Sequence, residues 1–476
     1  MKKRHLPKDE IINGRLLPAI INLAIPLILA NLMQTAYNIV DTYWVGRLGE
    51  TAVAAISLAF PIIFLIISFG AGLTIAGTVL VAQYTGKQDQ DQVDRIAGQT
   101  IILLINVSIL ISVAGFLLAG PLLRLMGAAP EVAARGTVYL KILFAFSVFL
   151  FLFFVFQAIL RGWGDTKTPM WVMFWSVLAN SILDPLLIFG VGPFPQLGIA
   201  GAAWGTVISR GGAAIVGMYI LFSGRKMLHI RLSYLWPDWG KQWQLIRLGI
   251  PASLEQIIRS LGITVMMFIV ADFGTTVVAA YGIGARILSF VLVPAFALSM
   301  ATSTALGQNF GAGNLTRAEQ AGWLGSGFGF VSMTVIGIVF YFNAHALVNV
   351  FIHGSPDVVS MGADFIRVMA PTFGFLGLQI ILSGGFRGAG KTGTAMVLAF
   401  ISFWGTRVPL AYLLSNGLHM GPDGIWLAFP VSIVIMGVLT TLWFWVGRWK
   451  RTKPPKGPSL QDRVIEETVA EEGLSE

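Results

Sequence analysis

Apolar stretches of about 20 residues or more follow one another along nearly the whole chain, parted by short polar loops. A bilayer core ~30 Å thick takes about 20 helical residues to cross. The pattern therefore predicts twelve spans, near 16–45, 52–83, 96–120, 132–160, 168–190, 198–224, 243–270, 275–308, 317–343, 358–386, 393–416 and 424–447.

The spans fall into two copies. Leu23-Ala24-Ile25-Pro26 returns as Leu248-Gly249-Ile250-Pro251, and Gly49-Glu50-Thr51-Ala52 returns as Gly274-Thr275-Thr276-Val277, both after 225 residues. Gln83-Tyr84-Thr85-Gly86 returns as Gln308-Asn309-Phe310-Gly311 in the same register, and Arg161-Gly162-Trp163-Gly164 as Arg387-Gly388-Ala389-Gly390 one residue later. Six spans per copy is an even number, so the second copy enters the membrane in the same sense as the first. The expected fold is an all-α polytopic membrane protein of two parallel-repeat six-helix bundles. Its parts are an arm at 1–15, an N-terminal lobe at 16–224, a linker at 225–242, a C-terminal lobe at 243–447 and a tail at 448–476. Pro26 and Pro251, inside the first span of each lobe, predict a kink in both. The linker carries Trp236, Trp239 and Trp243 among basic residues. It suits either an amphipathic strip at headgroup level or a plain linker whose Lys and Arg snorkel.

At 55% hydrophobic and 12% charged, with mean hydropathy +0.76, the composition excludes an ordinary soluble protein. The absence of cysteine excludes disulfides and thiolate metal sites, and five histidines leave little for a metal cluster. The basic start, Met1-Lys2-Lys3-Arg4-His5, precedes a segment too long for a signal-peptide core. A net charge of +9 would suggest nucleic acid in a soluble protein, but its placement argues otherwise. With the N-terminus inside, about 23 Lys and Arg fall in cytoplasmic segments, against Arg47, Arg124 and Arg135 outside. Both termini are expected in the cytoplasm, and the acidic stretch from Gly457 is expected to be a disordered tail.

The candidate chemistry is lopsided. Gln34, Tyr37, Asn38 and Asp41 are spaced i, i+3, i+4, i+7 and share one face of the first helix. Asn180 and Asp184 lie one turn apart on the fifth. The repeat register carries Asp41 onto Met266, and Asp184 among Val408, Pro409, Leu410 and Ala411, so the scaffold is duplicated and these acids are not. A carboxylate in the apolar layer costs at least ~2.5–3.5 kcal/mol, so such residues are paired, protonated or functional. The plainer alternatives are that Asp41 ends a helix at the outer interface and that Asp184 binds backbone N–H groups freed by Pro185. Both acids lie nearer the outer end of their spans, which would let them share one cavity. Glu255 and Arg259, i and i+4 in the seventh span, read first as a structural pair and second as a further cation or substrate site. Arg210, Arg286 and Arg407 fall inside spans, where carbonyls, Glu255 or the lobe interface are their expected partners. Lys141 is expected to snorkel, and Asp364 to pair with Arg367.

Gly385-Phe386-Arg387-Gly388-Ala389-Gly390-Lys391-Thr392 fits the phosphate-binding pattern G-x-x-x-x-G-K-T, but an apolar span precedes it where a strand is needed. It reads as a tight cytoplasmic turn. With no H-E-x-x-H and no G-x-S-x-G, hydrolase machinery is not visible and the chain is not expected to be an enzyme.

Together these residues resemble the multidrug and toxic compound extrusion (MATE) family, over residues 15 to about 447. The resemblance rests on Gln34-Thr35-Ala36-Tyr37-Asn38-Ile39-Val40-Asp41 with Val45-Gly46-Arg47-Leu48-Gly49. It rests also on Arg161-Gly162-Trp163-Gly164-Asp165-Thr166-Lys167-Thr168-Pro169-Met170 and on Gln308-Asn309-Phe310-Gly311-Ala312-Gly313-Asn314. Asp41 with Asn180-Ser181-Ile182-Leu183-Asp184-Pro185 is similar to the archaeal and DinF-like branch. The resemblance implies the MATE fold, two six-helix bundles forming a V, and export of amphipathic, often cationic compounds. It implies an ion and proton site at Asp41, Asn180 and Asp184, joined by a hydroxyl at Thr206, with Na⁺ at the three former residues if Na⁺ is the ion. Gln34 and Tyr37 become cavity residues, beside Asn38. The NorM-like branch uses acids of the C-terminal lobe, a site that looks incomplete here with Glu255 and only Asp364 in the tenth span.

The expectation is a multidrug antiporter in the plasma membrane that exchanges H⁺ or Na⁺ for organic cations and other small-molecule drugs. No cofactor and no nucleic-acid partner are expected, and a monomer in the bilayer suffices. The main rival is a lipid-linked oligosaccharide or lipid flippase, which would want a strongly basic cavity for its pyrophosphate. A channel would need a polar lining in both lobes, and a major-facilitator symporter would need that family's basic loop motif where Lys87 to Arg95 stand.

Overall fold

The computed structural model describes residues 7–224, 228–352 and 354–451. The basic start and the acidic stretch from Gly457 lie outside the described residues, as do Arg225 and Lys226 of the linker. The described chain is helical: α1 (Pro7–Asn13), α2 (Leu16–Gly46), α3 (Glu50–Gly86), α4 (Gln90–Leu125), α5 (Pro130–Ala145), α6 (Ser147–Trp163), α7 (Lys167–Phe189) and α8 (Ile199–Phe222). The second copy follows as α9 (Trp239–Ala271), α10 (Thr275–Gly311), α11 (Leu315–Phe342), the short α12 (Ala344–Asn349), α13 (Pro356–Met369), α14 (Phe373–Gly388), α15 (Thr392–Phe400), α16 (Val408–Tyr412) and α17 (Pro422–Val446). Eleven helical runs are long and apolar enough to cross a membrane, and α5 with α6 makes a twelfth. Large apolar side chains such as Leu110 and Leu117 point outward, which only a lipid environment satisfies.

Three spans are less regular than the apolar pattern suggests. The fourth bends by 51° between α5 and α6, at Phe146. The tenth passes through a 3₁₀ turn, Ala370–Thr372, around Pro371, whose missing N–H cannot continue an α-helix. The eleventh contains two π segments, Ile401–Arg407 and Leu413–Gly417. By contrast α2 and α9 stay continuous through Pro26 and Pro251.

The chain forms two compact units. The N-terminal unit comprises Ile25–Val81 and Asp89–Ser253; the C-terminal unit comprises the chain up to Ala24, Ala82–Gln88 and the chain from Leu254. Thus α2 and α9 each pass from one unit to the other within a few residues of their prolines.

In the N-terminal unit, α4, α5, α6, α7 and α8 pack on one another around Leu123, Leu140, Phe144 and Ile188. The described linker stays with this unit as a strap tied to α4. Gln99 donates to the Tyr234 carbonyl (2.8 Å) and the Trp236 carbonyl (2.6 Å) and accepts from the Asp238 amide (2.9 Å). The Tyr234 hydroxyl donates to Asp91 (2.6 Å). Its one regular piece is a 3₁₀ turn, Leu232–Leu235, while Trp236, Trp239 and Trp243 stand exposed.

In the C-terminal unit, α10, α11, α14 and α17 surround a core that includes Met333, Phe365, Phe373 and Phe429. The repeated Gln-x-x-Gly motif explains itself here. A Cβ on Gly86 would strike the Gln308 carbonyl, and a Cβ on Gly311 would strike the Gln83 carbonyl, so the two copies cross backbone to backbone. Gly49 and Gly274, also repeat partners, both take φ +95, a conformation that glycine alone adopts without strain. The phosphate-loop resemblance dissolves in the same way. A helix, α14, leads into Gly390, the Gly388 carbonyl accepts from Gln83 (2.9 Å), and a Cβ on Gly388 would meet the Ser303 carbonyl, so the glycines serve helix packing.

Candidate functional site

The polar stripe of α2 opens onto a cavity of about 480 Å³ inside the N-terminal unit, within the ~300–1,000 Å³ usual for small-molecule sites. Its floor holds Gln34, Tyr37, Asn38 and Asp41 from α2 with Thr206 and Arg210 from α8. Aromatic rings, among them Phe60, Phe64, Phe146 and Phe149, make the apolar walls, and Met173 is the one methionine lining it.

The polar groups are tied together across helices. The Tyr37 hydroxyl donates to Thr206 Oγ1 (2.9 Å), and Gln34 donates to Asn38 Oδ1 (3.1 Å). The Arg210 guanidinium lies over the Tyr37 ring at 4.9 Å and donates to Gln34 Oε1 (3.4 Å). Arg210 therefore meets the side-chain carbonyl of Gln34 on the cavity floor, and not Glu255. Nothing in the spacing of residues revealed this, because α8 had to be packed on α2 first.

Asp184 and Asn180 stand differently from the expectation of a shared cavity. Asp41 lines the space, whereas Asn180 and Asp184 on α7 are fully buried behind it. Asn180 Nδ2 donates to Asp184 Oδ1 at 2.9 Å. α8 makes room for that carboxylate with Gly205, since a Cβ there would collide with Asp184 Oδ1. Three oxygens, Asp41 Oδ1, Asn180 Oδ1 and Asp184 Oδ2, are buried with no hydrogen-bond donor. Among the described residues neither aspartate has an ion pair. Buried acceptors without donors are costly, and oxygens of this kind suit a proton or a small cation. Tyr139 of α5, also buried on the cavity wall, completes the group, and the sequence carried no signal for it.

The acid of the second copy is fully neutralised. Glu255 is completely buried and accepts from Arg259 (2.9 Å) and from Arg387 (3.0 Å), which also donates to Ser299. The structural pair expected with Arg259 is present, and Arg387, read from sequence only as part of a turn, is its second partner. Arg407 contacts Ser432 and two phenyl rings, not Glu255. Arg286 is exposed. Lys141 sits over the Phe116 ring at 4.9 Å, and Asp364 pairs with Arg367 at 3.6 Å. No group of three or more His, Asp or Glu able to hold a metal ion occurs among the described residues.

A family model described as MatE matches residues 26–186 and 251–413, one match per copy of the repeat. The chain is 31% identical over 445 residues to the probable multidrug resistance protein YpnP of Bacillus subtilis (strain 168), covering 93% of this chain and 98% of that one. It is 30% identical over 431 residues to the probable multidrug resistance protein YoeA of the same organism, covering 90% and 93%. Among solved structures, it superimposes with a TM-score of 0.87 and 25% identity on the outward-facing conformation of a multidrug resistance MATE family transporter of the MOP superfamily, covering 93% of this chain and 98% of that one.

Proposed function

The chain belongs to the MatE family of transporters, and on that premise we propose that it exports amphipathic, often cationic compounds in exchange for protons or Na⁺, with the carboxylates of the N-terminal unit as the coupling groups. The observation that carries this reading is the contrast between two kinds of buried acid. Glu255 has two guanidinium partners and no spare charge, while among the described residues Asp41 and Asp184 form no ion pair and hold orphan oxygens beside an aromatic-walled cavity.

Asp41 faces the cavity, where a lipophilic cation gains contact with the phenyl rings and a counter-charge. A proton or Na⁺ arriving at Asp41 and the Asn180–Asp184 pair removes that counter-charge, and the cation leaves. Asp184, behind the wall, is out of the drug's reach and serves the ion alone. One charge crossing 100 mV supplies about 2.3 kcal/mol and one pH unit adds about 1.4, together enough for a roughly 500-fold gradient of a neutral substrate. The likeness of Asp41 and Asn180–Asp184 to the archaeal and DinF-like branch, the cytoplasmic placement of both termini and action as a monomer in the plasma membrane belong to the same reading. Among the described residues Arg210 is the one basic residue lining the cavity, too few for the pyrophosphate of a lipid-linked saccharide.

The test is uptake of a fluorescent organic cation into inverted vesicles under separately imposed pH and Na⁺ gradients, with Asp41→Asn, Asp184→Asn and the double variant. Gradient-driven uptake is expected in the wild type and absent in the double variant. Undiminished uptake there would sink the coupling reading.

A further inference from the structure

The 225-residue step that relates the two copies carries Gln34 onto Arg259, and carries the turn between Asn180 and Asp184 onto the turn that holds Arg407. Where the N-terminal unit places acid and amide, the C-terminal unit places guanidinium. Trp404 Nε1 donates to the Ile258 carbonyl (3.4 Å), and Gly262 backs onto the Phe403 ring. The turn of α9 that bears Arg259 therefore lies against the π segment that ends in Arg407. π segments inside transmembrane helices mark local strain that is often functional.

Arg407 is more than nine-tenths buried, yet among the described residues it has no carboxylate partner. Its guanidinium lies 4.6 Å from the Phe403 ring centre and 5.0 Å from that of Phe429, and Nε donates to Ser432 Oγ (3.1 Å). Among the described residues its two terminal nitrogens have no acceptor. Arg259 gives one nitrogen to Glu255, which it shares with Arg387, so this interior holds three guanidiniums against one carboxylate. A planar fork held rigid by two rings, with its four outer N–H groups unspent, is the arrangement that takes a carboxylate with two parallel hydrogen bonds.

We propose that the C-terminal unit contains an anion-accepting site, with Arg407 as the fork and Arg259 as the supporting charge, which takes the carboxylate of an amphipathic aromatic acid or zwitterion. Phe403 and Phe429 then serve twice, orienting the guanidinium and offering their edges to the aromatic part of the ligand. The site is independent of the cation-coupled reading given above, because none of its residues belongs to the N-terminal cavity.

The test uses the full chain in lipid nanodiscs and two probes of one shape, 2-naphthoate and the uncharged 2-naphthamide, with thermal stabilisation and quenching of protein fluorescence as readouts. The wild type is expected to bind 2-naphthoate about tenfold more tightly than the amide, and Arg407→Gln to abolish that preference. Arg407→Lys keeps the charge and loses the fork, so it should retain part of the preference. It also serves where Arg407→Gln fails to fold, which loss of the cooperative thermal unfolding transition would reveal. Equal affinity of the wild type for the two probes, or an undiminished preference in Arg407→Gln, would overturn the proposal. Chloride that protects as well as 2-naphthoate, with nothing gained from the ring, would overturn the assignment to an organic acid.

Discussion

Asn180 and Asp184, one turn apart on α7, share a hydrogen bond of 2.9 Å that satisfies one carboxylate oxygen and leaves the other buried without a donor. A fold that only needed to pack would not keep such a group, since apolar side chains of similar volume are easier to bury.

Replacing Asp184 by Asn should therefore separate stability from coupling. The variant is expected to melt at or above the wild-type temperature at neutral pH, because an ionisable group without an ion-pair partner has left the interior. Its gradient-driven export should fall at least about tenfold. Thermal unfolding in detergent and vesicle uptake read the two effects independently.

Glu255→Gln should do the opposite. It leaves Arg387 and Arg259 buried without a counter-charge, a loss of about 3–5 kcal/mol, and replacing Arg387 by Met in the same chain should recover part of it. A double-mutant cycle on unfolding would measure the recovery.

Gly205 is the neighbour that gives Asp184 its space. Gly205→Ala forces the carboxylate aside and is expected to cost about 1–3 kcal/mol and to impair coupling. On the same helix Gly212 has open space around it, so Gly212→Ala should be neutral or stabilising by up to about 1 kcal/mol. Comparison of the two melting curves checks the prediction.

The repeat, the helix count and the acid positions were legible because each depends on local order in the chain: the length of apolar runs, the i, i+3, i+4, i+7 stripe of α2 and the 225-residue echo. Arg210 and Tyr139 at the cavity, and Arg387 at Glu255, were not. Each meets its partners across long stretches of chain, through helix packing that no local pattern encodes.

The strap between the two copies offers a pH test. The Tyr234 hydroxyl donates to Asp91, and that bond holds its ionisation above the ordinary value of about 10. Because the folded value is the higher one, the bond contributes fully below about pH 10 and is lost as pH climbs through the folded value. Hydrogen exchange at residues 228–238 should stay slow through neutral pH and quicken in alkali. Tyr234→Phe should exchange fast throughout.

The sequence by itself determined a duplicated, membrane-spanning helical protein with lone acids in its first copy, because hydropathy, repeat register and helix periodicity are written in neighbouring residues. Only the tertiary structure decided which charges are spent. It gave Glu255 two arginines, left Asp41 and Asp184 with orphan oxygens, set Asp184 behind the cavity wall instead of on it, and left the fork of Arg407 without an acceptor among the described residues. Whether a buried charge is neutralised depends on which helices pack against it, and that is fixed by side-chain volumes and glycine contacts far apart in the chain.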